Sequence, residues 1–384
     1  MSLKAFIAHY MPKKTHNAKT MSIEKKRDSN FELLRIIAMF LIVIHHLQQH
    51  GVWFPPNVET APNFALSRIF YMWSGMIGNW IFVLISGYFV CTSKFSWKKV
   101  FAIWLQIFSI SAVIGLIAYF SKIKVIGFYN PDYGKVGFFE AARPASKKDL
   151  IRSFLPCYYG NNWFAVAYLV FYLFIPFLNQ FRENLNQKMH LQLIVLMFVI
   201  GCVVKQLPFE QFFQQDNLYM FILGYFIASY IRFYNPKILS RTKINLIIFF
   251  CLFSFFAFWN FVVYTYLYHI AFVRNHIKEV LSFFGGGMAR VLSLTCALSL
   301  FCVFRQMKIP YNRFINTVAS ATFGVYLLHE NLLINKTVWH GIFKLDDWIS
   351  SPYLLPYMFF CAIVVFIVCT IIELLRKKIF DSLF

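Results

Sequence analysis

Apolar runs recur along the chain, separated by short polar linkers. A helix needs ~20 apolar residues to cross a bilayer, and ten stretches approach that length. They cover 31–48, 69–91, 100–120, 162–180, 191–207, 218–234, 244–265, 281–304, 315–335 and 353–375. The fifth and sixth are short. The pattern predicts an all-α fold, a polytopic integral membrane bundle of about ten transmembrane helices.

Charge in the linkers orients this bundle. One set of linkers is basic, with Lys94, Lys98 and Lys99, then Arg182 and Lys188, then Arg232, Lys237, Arg241 and Lys243, then Arg305, Lys308 and Arg313. Residues 376–384 add Arg376, Lys377 and Lys378. The alternate linkers hold the acids Glu59, Glu210, Asp216, Glu279, Asp346 and Asp347. The positive-inside rule then makes both termini cytoplasmic. Residues 1–30 read as a basic cytoplasmic tail without the apolar core of a cleavable signal. Residues 31–375 form the membrane domain and 376–384 a short basic tail. The loop 121–161 breaks the rule, being both outer and basic, but long loops obey it less strictly. A basic outer loop could grip an anionic glycan or simply cover the mouth of the bundle.

Composition agrees. The 384 residues are 59% hydrophobic and 14% charged, against about 25% charged in soluble domains. The net charge of +21 would suggest nucleic acid in a soluble protein. Here the basic residues collect between apolar runs, so no nucleic-acid partner is expected. Eight cysteines are scattered without a CxxC pair, which supports neither zinc nor a disulfide framework.

The first apolar run carries the clearest chemical signal. Arg35 and His46 lie eleven positions apart, about three helical turns and about 16 Å along one face. Ionisable groups inside a bilayer usually face a cavity, a partner or a pathway. Glu32, three residues before Arg35, is its helical neighbour and can partly neutralise it. The bland reading competes: Arg35 snorkels to the interface and His46 bonds a neighbouring helix. His45 sits about 100° away and is the weaker candidate. His329 falls about 21 Å along the ninth run, close to the depth of His46 on another helix. His46, His329 and Glu330 together make a candidate proton-handling site. No metal is expected, since the ligand spacing is not diagnostic. Ser86-Gly87 permits close helix approach, and Trp163-Phe164 suits an interfacial aromatic belt. Gly285-Gly286-Gly287 lacks the context of a phosphate cradle and reads as a helix start.

In this order, these signals resemble the acyltransferase 3 family of integral-membrane acyltransferases, which O-acylate bacterial surface polysaccharides among other acceptors. Its first-span signature of an acid, two residues, an arginine, ten residues and a histidine looks like Glu32, Arg35 and His46. Its Phe-Phe-Val-Ile-Ser-Gly-Phe segment is similar to residues 81–89, its Trp-Phe to Trp163-Phe164, and its Tyr-Leu-x-His to residues 326–329. Two departures stand out: Lys94, Lys98 and Lys99 replace an arginine-rich segment, and Glu330-Asn331 follow the late histidine where many members have a proline.

The resemblance implies acyl transfer from cytoplasmic acetyl-CoA to a sugar hydroxyl on a polysaccharide or lipid-linked glycan, in a bacterial inner membrane. In that expectation His46 is the base, and His329 or Glu330 assists, orients or carries the acyl group. Arg35, Lys98 and Lys99 hold the acyl-CoA, while Glu32, Ser86, Gly87, Trp163 and Tyr326 shape the site. A transporter or flippase for a lipid-linked sugar is the alternative from another class, weakened by the lack of visible internal repeats. A structural subunit without chemistry comes last.

Overall fold

A computed structural model describes residues 28–52, 62–126, 143–159, 162–203, 216–276, 280 and 287–383. The basic segment 1–27, residues 127–142, Gly285 and Gly286 lie outside the described residues. A helix coincides with every one of the ten apolar stretches. The helices are α1 (Ser29–Gly51), α2 (Pro62–Ile69), α3 (Gly75–Val90), α4 (Trp97–Phe120), α5 (Lys147–Ser153), α6 (Trp163–Glu183), α7 (Gln187–Phe198), α8 (Asp216–Tyr234), α9 (Thr242–Val262), α10 (Gly287–Gln306), α11 (Arg313–His329) and α12 (Leu354–Leu383). Among the described residues, five helical segments are long and apolar enough to cross a membrane: Ser29–Gly51, Trp97–Phe120, Trp163–Glu183, Thr242–Leu267 and Leu354–Phe380. Gly75–Val90, Gln187–Gly201 and Val291–Gln306 are shorter apolar helices. The chain is a multi-pass membrane protein.

Helix α1 is the axis of the bundle. It packs against α3, α11 and α12, and α3 in turn against α8 and α10. In its most apolar window 56% of residues are buried, against 17% for Thr242–Leu267, which lies at the periphery. The two ends of α1 are tied to the same neighbour. At the start, Ser29 Oγ donates to Asn316 Oδ1 (3.2 Å) and accepts from the Asn312 amide (2.9 Å). Asn312 also caps α11 through its side chain, accepting from the Ile315 amide, which satisfies one of the helix's orphan donors. At the far end His46 meets His329. Helices α1 and α11 therefore run parallel, pinned at both ends.

Helix α3 crosses its neighbours at glycines. A methyl group on Gly87 would sit 2.8 Å from the Tyr225 Cα on α8, and one on Gly78 would sit 2.7 Å from the Ala38 carbonyl on α1. Small residues at such crossings let backbones touch where no hydrophobic effect drives helices together. This is the close approach that Ser86-Gly87 suggests, with α8 as the partner.

Two features depart from the apolar pattern. The ninth run reads through residue 335, but α11 stops at His329, and the chain turns at Glu330 into Asn331. The segment after it winds through a π-helical turn (Thr337–Ile342) and a short 3-10 helix (Leu345–Trp348) that cover the end of α1. In the C-terminal half of α12, Glu373 is fully buried. Arg376 donates to both its oxygens at 2.8 Å, and Gln106 on α4 donates to Oε1 at 2.9 Å. Gly324 on α11 leaves the gap that this carboxylate fills.

The described residues of the basic segment 121–161 fold back on the bundle. Short strands Lys124–Val125 and Arg143–Pro144 pair antiparallel. Ser146 and Asp149 form a capping box at α5, and Ser153 packs on Gly115 of α4. The Arg143 guanidinium, 2.6 Å from Asp149, holds that carboxyl below the usual carboxylate range. What this pair contributes is present at neutral pH and lost only as acidification passes through the lowered pKa.

Two stability predictions follow from these contacts. Gly87→Ala should cost about 1–3 kcal/mol and lower the thermal midpoint in detergent, because backbone rather than a flexible side chain must move. Gly341→Ala, whose added methyl meets only Thr337 Cγ2 at 3.6 Å, should leave the midpoint unchanged. Glu373→Gln should cost about 3–5 kcal/mol by stranding Arg376. In a double-mutant cycle, Glu373→Gln with Arg376→Gln should recover part of that loss.

Candidate active site

The last turns of α1 and α11 bring four ionisable side chains into one buried cluster. His46 and His50 are one turn apart on α1 and so share a face. His329 ends α11 and Glu330 is its C-cap residue. All four are buried. His46 Nδ1 lies 2.8 Å from His329 Nε2 and 3.3 Å from Glu330 Oε2. His50 Nε2 lies 3.1 Å from Glu330 Oε1.

The hydrogen bonds order the protons. His329 Nδ1 is 2.6 Å from the Val325 carbonyl, which can only accept, so Nδ1 carries the proton. In the neutral ring Nε2 is then an acceptor. His46 Nδ1–H donates to it, and the Glu330 carboxylate lies 3.3 Å away as a neighbouring charge. The remaining nitrogen of His46, Nε2, holds the lone pair. This is the arrangement of an oriented general base: one ring nitrogen anchored by an acceptor, the other available.

A second layer positions His50. His340 Nε2 donates to the His50 carbonyl (2.7 Å), and its Nδ1 lies 2.8 Å from Asp346 Oδ2. Gly51 allows Trp339 and Leu345 to pack against the end of α1, since a methyl there would meet Leu345 Cδ1 at 2.6 Å. His46, His329 and Glu330 each offer a ligand atom within 4.8 Å of the others and are the residues here that could hold a metal ion. The 2.8 Å between facing ring nitrogens is already explained by a shared proton.

The other sequence candidates lie away from this cluster. Arg35, half-buried, donates to Glu32 Oε1 at 3.0 Å. It sits near the Tyr168 hydroxyl, which also neighbours Ser86. Phe95 stacks on Tyr172 (5.6 Å), one turn from Tyr168, which puts the start of α4 at the Arg35 end of the bundle. Lys98 and Lys99 are exposed in the first turn of α4. Trp163 is partly exposed, in keeping with an interfacial position, while Phe164 is buried against Phe221 and Tyr326. Tyr326 is buried, its ring centroid 6.3 Å from those of both His46 and His329.

Sequence reasoning missed His50, although its spacing from His46 is one helical turn. It also missed His340 and Asp346, which no periodicity connects to the site. Arg182 and Arg232 were seen only as loop charges. Arg232 Nη1 donates to the Tyr88 carbonyl (2.9 Å) and Arg182 Nη2 to the Cys91 carbonyl (3.4 Å), so both cap the end of α3.

No curated protein and no solved structure matches the chain. The acyltransferase-domain family that includes the acyltransferase 3 proteins matches residues 28–373. That match runs from the start of α1 to the buried Glu373 and encloses the whole histidine cluster. The chain belongs to the acyltransferase 3 family and is a membrane acyltransferase.

Proposed function

We propose that the protein moves an acetyl group from cytoplasmic acetyl-CoA to a hydroxyl of a cell-surface polysaccharide or its lipid-linked precursor, in a bacterial inner membrane. In this reading ten helices cross the bilayer and both termini are cytoplasmic. The observation that carries the chemistry is His46, anchored through Nδ1 by His329 and Glu330 and left with a lone pair on Nε2.

The acceptor hydroxyl loses its proton to His46 Nε2 as its oxygen attacks the thioester carbonyl. The tetrahedral adduct collapses, the carbon–sulfur bond breaks, and the imidazolium returns the proton to the leaving thiolate. Glu330 stabilises the transient imidazolium, and His50 holds the second oxygen of that carboxylate. His329 fixes the ring and tautomer of His46. Arg35 lies about 16 Å from His46 along α1, toward the end where α4 begins with Lys98 and Lys99. These three suit the phosphates and polar arm of the donor, with lysine offering point charges rather than a bidentate fork. The histidines would then meet the acceptor from the outer side. Family membership weighs against the transporter alternative, which needs no oriented base.

Membranes carrying the protein should transfer label from radiolabelled acetyl-CoA into extracted glycan. His46→Ala should lower that transfer by about 10²–10⁴-fold at equal protein level. Glu330→Gln should lower it by about 10²-fold, with the acid limb of the rate profile displaced, because the imidazolium loses its counter-charge. Full transfer by His46→Ala would sink the proposed base.

A further inference from the structure

One buried polar group beside the cluster is left over by the proton relay. Tyr326 is only 4% exposed, and its hydroxyl proton has no acceptor among the described residues. A buried unpaired hydroxyl costs about 1–3 kcal/mol, so its retention needs a reason. The hydroxyl lies beside the backbone amide of Phe164, in the first turn of α6. The ring of Phe164 packs on that of Tyr326 at 6.1 Å, so the two segments are in register.

The start of α6 has donors to spare. The first four amides of a helix lack intrahelical acceptors. Asn162, the N-cap residue, is buried but makes no side-chain capping bond. The helix dipole adds positive potential at that end. A hydroxyl proton without an acceptor and an uncapped helix start thus converge at Tyr326, whose ring lies 6.3 Å from that of His46. The amide of Phe164 is directed at the hydroxyl, and both are donors suited to an oxygen that acquires negative charge.

We propose that the Tyr326 hydroxyl, with the Phe164 amide, forms the oxyanion hole for the thioester carbonyl. This rests on the acyl-transfer reading above. As the acceptor oxygen forms its bond to the carbonyl carbon, the carbonyl π electrons move onto oxygen, and Tyr326 O–H and Phe164 N–H donate to it. When the carbon–sulfur bond breaks, the carbonyl re-forms and Tyr326 keeps its proton throughout. The hole lies on α6 and α11, the base on α1, so three helices must meet for one turnover.

Tyr326→Phe keeps the ring and its packing while removing the donor. It should lower kcat by about 10²–10³-fold, leave the KM for acetyl-CoA unchanged, and leave the pH profile set by His46 unshifted. The companion measurement is isotope-edited infrared spectroscopy of carbonyl-labelled acetyl-CoA bound, without acceptor, to His46→Ala protein, in which transfer is slowed. The thioester carbonyl band should be displaced to lower frequency with Tyr326 present, and that displacement should shrink in the His46→Ala, Tyr326→Phe protein. Full kcat in Tyr326→Phe would overturn the proposal. So would a bound carbonyl band indifferent to the substitution, or a raised KM with a shifted pH profile, which would mark Tyr326 as packing alone. Absence of any bound thioester band in protein carrying Tyr326 would instead overturn the acetyl-CoA reading, and the oxyanion hole with it.

Discussion

Hydrocarbon offers a polar side chain nothing to bond to, so each ionisable group carried into this bundle must be answered by another part of the chain. The architecture is organised by those answers. His46 is met by His329 and Glu330, Ser29 by Asn312 and Asn316, and Asn30 by the Phe304 carbonyl. These contacts join segments separated by more than 270 residues, and they act at both ends of α1. Apolar packing fills the space between them, but it would tolerate small rotations of one helix against another. A hydrogen bond between two imidazoles would not. The histidine cluster is thus a registration device: it fixes the rotation of α1 relative to α11.

The same constraint explains which parts of the protein were legible in its sequence. The apolar runs located a helix in every case, because hydropathy reports length directly. Arg35 and His46 stood out because a charged residue in such a run is costly, and His329-Glu330 stood out by depth. What hydropathy does not carry is partnership. Glu373 and Gln106 are far apart in sequence, each in a run of apolar residues, and their bond is a product of tertiary packing. His340 and Asp346 follow the early end of α11, which the uninterrupted apolar pattern through residue 335 conceals. His50 was within reach, since its spacing from His46 is one helical turn, but at the edge of the run it reads as an interfacial residue. Gly87 announced a close crossing without naming Tyr225 as the residue crossed.

The division of labour along α1 follows from its geometry. One end presents the Glu32–Arg35 pair, the other the histidine cluster, and the apolar turns between them are buried. A donor with an anionic head and a long arm fits such a separation, with its reactive carbon delivered to the histidines and its charge left behind. The acceptor needs no access to the charged end. In the proposed reaction a single helix would measure the distance between donor and acceptor.

The buried Glu373–Arg376 pair has a consequence for biogenesis. An isolated charge at the centre of a membrane helix costs about 2.5–3.5 kcal/mol to insert. In α12 the carboxylate and guanidinium are three residues apart on one helix, joined by two hydrogen bonds. The helix therefore brings its counter-ion with it and can enter the lipid as a locally neutral segment before α4 and α11 are in place to receive it. Docking then brings Gln106 onto the carboxylate, settles it over Gly324 and places Lys377 on Ser320 of α11. Helix α12 can thus wait in the bilayer, its Glu373–Arg376 pair locally neutral, until the rest of the bundle closes around it.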